Sequence, residues 1–133
     1  MAFKKINLNE CIDRLPDSYK NRKNKKTYLE ECLENDTAEF YLIDNKYEFF
    51  FYKNDKVADL CIDEKSKDSI FDNEEIMMNI FDFLKIKGYK IITISLLKDK
   101  FINRHKRALQ YDFDIKQNIV INDYEIIIYE KVL

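Results

Sequence analysis

A chain of 133 residues with a single glycine has almost no backbone that can take positive φ without strain, so its turns must be built another way. Average usage would supply roughly nine glycines and seven prolines, and this chain has one of each. Asparagine and aspartate are the next residues to tolerate the left-handed region, because their short side chains bond the local backbone. Tight turns are therefore expected at Asp44-Asn45, Asn54-Asp55 and Asn122-Asp123.

Punctuated this way, the sequence reads as one α+β domain over residues 1–133. Phe3 to Leu8 alternates apolar and polar residues, as a short strand does. Asn9 can cap a short helix through Leu15, which Pro16 ends or kinks. From Asp17 to Leu33 the period turns helical, with Tyr28 and Cys32, and Leu29 and Leu33, as i,i+4 pairs. Three strands follow: Ala38 to Ile43, Tyr47 to Tyr52 and Val57 to Ile62. The short turns between them make the group antiparallel. Phe49-Phe50-Phe51-Tyr52 is apolar on both alternating faces, which predicts a central strand covered on both sides. The clearest helix spans Asn73 to Lys87. Asp72 is its expected N-cap, with Glu75 three residues on and Ile76, Met77, Ile80, Phe81 and Leu84 as one apolar stripe. Gly88 falls where a helix C′ residue takes positive φ. Ile91 to Leu97 is a buried strand, Phe101 to Gln110 a basic helix, and Phe113 to Ile121 and Tyr124 to Lys131 a closing hairpin. The run Ile126-Ile127-Ile128 again predicts burial on both faces.

Charge narrows the function. A net charge of −2 argues against broad nucleic-acid binding, which needs clustered cations to neutralise phosphates. The two basic clusters, Lys20 to Lys26 and Lys98 to Arg107, read as solvated helix faces. Cys11, Cys32 and Cys61 are odd in number and not closely spaced, so neither a disulfide framework nor a zinc or other metal site is suggested. The lone histidine, His105, lies between Arg104 and Lys106, and a surface position is expected. The opening MAFKKINLNE has no apolar core of a signal peptide, and no run reaches the length of a membrane span. A cytoplasmic protein without membrane partners is the expectation.

The order strand, two helices, three antiparallel strands, helix, strand, helix, two strands resembles the GNAT acetyltransferase superfamily over nearly the whole chain. The stretch IMMNIFDFLKIKGYKIITISL is similar to the family's long helix, its closing glycine and the strand after it. The resemblance implies a mixed, mostly antiparallel sheet of about six or seven strands with helices on both faces. It also implies acetyl-CoA as cofactor. In the family, the loop before that helix reads Gln/Arg-x-x-Gly-x-Gly/Ala, and its glycines let backbone N–H groups approach the pyrophosphate. Aligned on Gly88, this chain places Asp68, Phe71 and Asn73 at those positions, so it is a divergent member without the loop glycines. Phe71 would fill the space a phosphate needs. Asp63, Glu64, Asp68, Asp72, Glu74 and Glu75 surround it against only Lys65 and Lys67. Weak or absent acetyl-CoA binding follows, no tighter than roughly millimolar.

Candidate site residues follow from the same resemblance. Cys61, Ile62 and Asp63 would offer backbone contacts to the cofactor, and Asn103 would open the basic helix beside it. Arg104, with Lys98 or Lys106, would neutralise its phosphates. Tyr111, near the end of that helix, would be the general acid for the leaving thiolate, a role the family gives to a tyrosine, or else a core or strand-entry aromatic. Glu48, Asp59 and Asp63 are the strand carboxylates eligible as general base. Two functional readings remain open. One is a CoA-dependent N-acyltransferase acting on an amine. The other is a catalytically inactive GNAT-shaped or other α+β protein-binding module, of accessory, inhibitor or immunity type, with Tyr41, Tyr47 and Tyr52 as candidate interface anchors.

Overall fold

The computed structural model describes residues 1–7, 9–10, 23–61 and 70–133. Along the chain these form β1 (Phe3–Ile6), α1 (Lys23–Glu34), β2 (Ala38–Ile43), β3 (Tyr47–Asn54), β4 (Val57–Cys61), a 3-10 turn (Ile70–Asp72), α2 (Glu74–Ile86), β5 (Ile91–Leu97), α3 (Ile102–Gln110), β6 (Asp114–Ile121) and β7 (Tyr124–Val132). The expected continuations at Leu8, through Leu15 and from Asp17 to Asn21 lie outside the described residues, as does Ile62.

One seven-stranded sheet carries the fold, in the order β1-β2-β3-β4-β5-β7-β6. Every neighbouring pair is antiparallel except β4 with β5, which runs parallel through Val57↔Ile91, Ala58↔Ile92 and Asp59↔Thr93. The 3-10 turn and α2 form the crossover between them, as a parallel pair requires. The mixed, mostly antiparallel sheet is the one that the resemblance to the GNAT superfamily implies.

The turns confirm how a glycine-poor chain bends. Among the described non-glycine residues with positive φ are Asp36, Asp44, Asn45, Asp55, Asp112, Asn122 and Asp123. Asn122-Asp123 supplies two such residues between the paired Ile121 and Tyr124, the pattern a two-residue hairpin turn demands, and Asp44-Asn45 supplies two within the three-residue connection from Ile43 to Tyr47. At the third turn only Asp55 does so, and Asn54 stays in the strand. The exception in type is Phe101, at φ 59°.

Two clusters make the core. The larger packs α2 and the end of α3 on one face, joining Ile76, Met77, Ile80 and Leu84 to Phe49, Phe51, Ile92 and Ile94. The smaller packs Leu29 and Cys32 of α1 on the other face, against Ile6, Phe40, Leu42 and Phe50. Phe49, Phe50 and Phe51 are all buried, as the two-sided pattern of β3 predicts. Each contributes about 2–3 kcal/mol by burial. Ile126, Ile127 and Ile128 are only half-buried, because β7 neighbours the edge strand β6 and α1 packs at the other end of the sheet.

The ends of α2 are well closed. Asn73, not Asp72, is the N-cap, and its side-chain oxygen accepts from the Ile76 N–H at 3.1 Å. Asp72 belongs to the 3-10 turn before it. Gly88 takes φ 100° at C′, where its N–H donates to Lys85 and the Tyr89 N–H donates to Leu84. This is the two-bond closure that glycine permits.

Candidate functional site

Parallel pairing of β4 with β5 stops at Asp59↔Thr93, although β4 runs on to Cys61 and β5 to Leu97. Beyond that pair the two strands share no further ladder among the described residues, so they part there. β5 does not lose its other neighbour, pairing with β7 from Ile91 to Leu97. The opening is therefore a feature of one seam in an otherwise continuous sheet.

Asp59 sits at the last pair before the strands part. Its Oδ1 accepts from the Thr93 hydroxyl at 2.9 Å. Burial pushes its carboxyl above the ordinary carboxylate range, and the Thr93 hydrogen bond only partly opposes this. A carboxylate so placed is a better proton acceptor for an amine than a solvated one. Tyr52 lies directly across β3 from it in register. Glu48, the other described candidate for the base, is half-buried on β3, one strand removed from the seam, and Asp63 lies outside the described residues.

On the α2–α3 face, α3 and the 3-10 turn border an open cavity of about 590 Å³. Asp72 lines it from the turn, and Phe101, Asn103, Arg104, Lys106 and Arg107 line it from α3 and its cap. Two expected cofactor residues, Asn103 and Arg104, are thus brought together here. Arg104 is buried, while Asn103 and Lys106 are exposed. Lys98 is instead engaged by Glu125 at 2.9 Å and does not line this cavity. Cys61 ends β4 half-buried, and Ile62 and Asp63 lie outside the described residues. Sequence reasoning did not single out Thr93 or Arg107. The parallel register that brings Thr93 to Asp59 is set by tertiary pairing, and Arg107 is one turn on from Asn103, a spacing that could have found it.

Tyr111 and Phe71 are placed otherwise than expected. The Tyr111 ring packs edge-on to Phe71 at 5.4 Å and near Phe81 at 5.9 Å, and its hydroxyl donates to the Phe71 carbonyl at 2.7 Å. Burial pushes its phenol above the ordinary value. Tyr111 follows buried Ala108 by three residues, so it shares that inward face of the helix. A hydroxyl held on a core carbonyl is not in the groove, and the general-acid role has no support here. Phe71 is itself fully buried. Tyr111→Phe should therefore lower unfolding stability by about 1 kcal/mol, read from the urea midpoint. It should leave any turnover unchanged.

His105 is half-buried rather than a surface residue. Its Nε2 lies 2.8 Å from the Leu97 carbonyl, which can only accept, and its Nδ1 lies 2.6 Å from the Tyr129 hydroxyl. Nε2 therefore donates to the Leu97 carbonyl, and the two contacts tie α3 to β5 and β7. Cys32 is a buried free thiol, and among the described residues no group of three His, Cys, Asp or Glu could hold a metal. No helix among them is long and apolar enough to cross a membrane. Tyr41, a candidate interface anchor, is buried in the main core, while Tyr47 and Tyr52 are half-buried.

No protein-family model and no curated protein sequence matches the chain. Solved structures do. A probable acetyltransferase from Staphylococcus epidermidis superposes with a TM-score of 0.73 at 11% identity, covering 98% of each chain. The IAA acetyltransferase from Bacillus cereus gives 0.64 at 9%, covering 99% of each. A Bacillus subtilis acetyltransferase in complex with CoA gives 0.61 at 11%, covering 98% of this chain and 97% of that one. Identities this low carry architecture only, and the architecture is plain: the chain has the GNAT acetyltransferase fold.

Proposed function

We propose that the protein is a CoA-dependent N-acyltransferase acting on an amine, with Asp59 as general base and no dedicated general acid. The carrying observation is the parting of β4 and β5 directly after the Asp59–Thr93 pair. Such a groove can hold a thioester against an amine, and this reaction is largely a matter of holding the two together. The amine nitrogen attacks the thioester carbonyl carbon, its C–N bond forms, and the C–S bond breaks. The nitrogen's proton passes to the Asp59 carboxylate, and the departing thiolate takes a proton from solvent. A thiolate is a good leaving group, and the Tyr111 hydroxyl, expected to protonate it, is committed to the Phe71 carbonyl. The buried free thiol of Cys32 suits a reducing, cytoplasmic setting.

The test is release of free thiol from acetyl-CoA in the presence of a panel of primary amines. Amine-dependent release above background hydrolysis is expected. No release with any amine, together with no calorimetric heat on adding CoA, would favour the second reading, a GNAT-shaped module that binds a protein partner. The observation on that side is the Tyr111 hydroxyl, committed to the Phe71 carbonyl.

A further inference from the structure

We propose that α3 carries a side-chain phosphate site centred on Arg104, which does the work that a glycine loop before α2 cannot do in this chain. It rests on the acyltransferase reading for its natural ligand, the phosphates of an acyl-CoA, but its geometry stands by itself.

Arg104 is 7% exposed, and its Nη1 has no hydrogen-bond partner among the described residues. A guanidinium has five donors, and leaving one buried and unpaired costs more than leaving a neutral donor so. Such a group is retained against its own destabilising effect, and an anionic ligand supplies the missing acceptor. The surroundings agree. Arg104 lines the 590 Å³ cavity together with Lys106 and Arg107, and Asp72 is the one carboxylate among the lining residues. Arg107 is only loosely paired with Asp72, at 4.0 Å, and so is available to a stronger acceptor.

The guanidinium is also held in place. Its carbon lies 5.4 Å from the centre of the Phe101 ring, at a distance where a cation and a ring face attract. Phe101 is the N-cap of α3, takes φ 59° and ψ 46°, and gives no side-chain cap bond. For a bulky residue this backbone costs about 1–2 kcal/mol. A strained cap that positions a cation beside a cavity is the kind of strain found at ligand sites.

Titration calorimetry on the full chain tests the proposal with inorganic pyrophosphate, CoA, 3′-dephospho-CoA and pantetheine. Pyrophosphate and CoA should bind, and pantetheine, which has no phosphate, should not. Equal affinity for CoA and 3′-dephospho-CoA assigns the site to the diphosphate, and a loss with the latter assigns it to the 3′-phosphate. Arg104→Met should weaken pyrophosphate and CoA at least tenfold while keeping or raising the melting temperature, because it removes an unpaired buried cation. Arg104→Lys, which keeps charge without the fork, should recover part of the affinity. Unchanged affinity in Arg104→Met, no binding of pyrophosphate to the wild type, or a methionine variant that melts lower or fails to fold would each overturn the site. Arg104-dependent pyrophosphate binding without acyl transfer would leave the site standing and remove the acyltransferase reading. Acyl transfer with CoA affinity independent of Arg104 would do the reverse.

Discussion

Asp59→Asn should lower turnover by about 10²–10⁴-fold without lowering the stability of the fold. The two halves of this expectation have one origin. Burial raises the Asp59 carboxyl, so ionising it in the folded state is harder than in the unfolded chain. The folded protein therefore holds this proton to higher pH. The contribution to stability is greatest below the unfolded value and is lost as pH rises through the folded one. At neutral pH the ionised Asp59 opposes folding, and an amide that still accepts from the Thr93 hydroxyl removes that penalty. Asparagine cannot take a proton from an amine, so catalysis falls while the melting temperature holds or rises. In the wild type, the acidic limb of kcat/KM should lie above the ordinary carboxylate range, and the variant should lack it. A variant with unchanged turnover, or one that loses activity only because it unfolds, would remove Asp59 as the base.

Asp59 also shows how far the sequence could be read. Its strand, its turn at Asp55 and its parallel partner strand all follow from local rules, because the aromatic runs and Asn/Asp pairs each favour one conformation. The bond to Thr93 does not, since it depends on a register set thirty-four residues away. The same boundary divides α3. Its basic pattern was legible. That Arg104 would be buried with an unpaired nitrogen was not, because burial of a cation in a basic run runs against its surface statistics. Tyr111 and His105 were misplaced for a related reason. Both are polar residues in a charged stretch, and only the packing of α3 onto the sheet turns them inward, to the Phe71 carbonyl and to Tyr129. The N-cap of α2 moved by one residue because Asp72 and Asn73 are both good caps, and the 3-10 turn before the helix selects the second.

The largest effect on stability should come from Glu39, a carboxylate far from the groove. It is 4% exposed on β2, yet its neighbours gather on it from four parts of the chain. The Tyr41 hydroxyl donates to Oε1 at 2.8 Å, and the Tyr89 hydroxyl, just past α2, donates to Oε2 at 3.1 Å. Lys5 of β1, Lys53 of β3 and Lys87 at the end of α2 lie at 3.2, 3.6 and 3.7 Å. Glu39→Ala strips the acceptor from a buried tyrosine and leaves Lys53, itself largely covered, without its buried counter-charge. The expected loss is about 3–5 kcal/mol, as for other buried ion pairs broken on one side. Burial pushes the Glu39 carboxyl up, but the hydrogen bonds from Tyr41 and Lys5 and the charges of Lys87 and Lys53 outweigh it and hold it at about 2, against an ordinary 4.5. A depressed carboxyl stabilises the fold above its unfolded value and loses that contribution as pH falls through the folded one. The displacement corresponds to roughly 3 kcal/mol at neutral pH. Urea midpoints should therefore fall between pH 4.5 and pH 2 in the wild type. Glu39→Gln, which keeps the shape and removes the titration, should flatten that part of the curve and start from a lower plateau. An unchanged slope in the glutamine variant would mean that other carboxylates govern the acid limb and that the Tyr41–Glu39–Tyr89 bridge does not anchor α2 to the sheet.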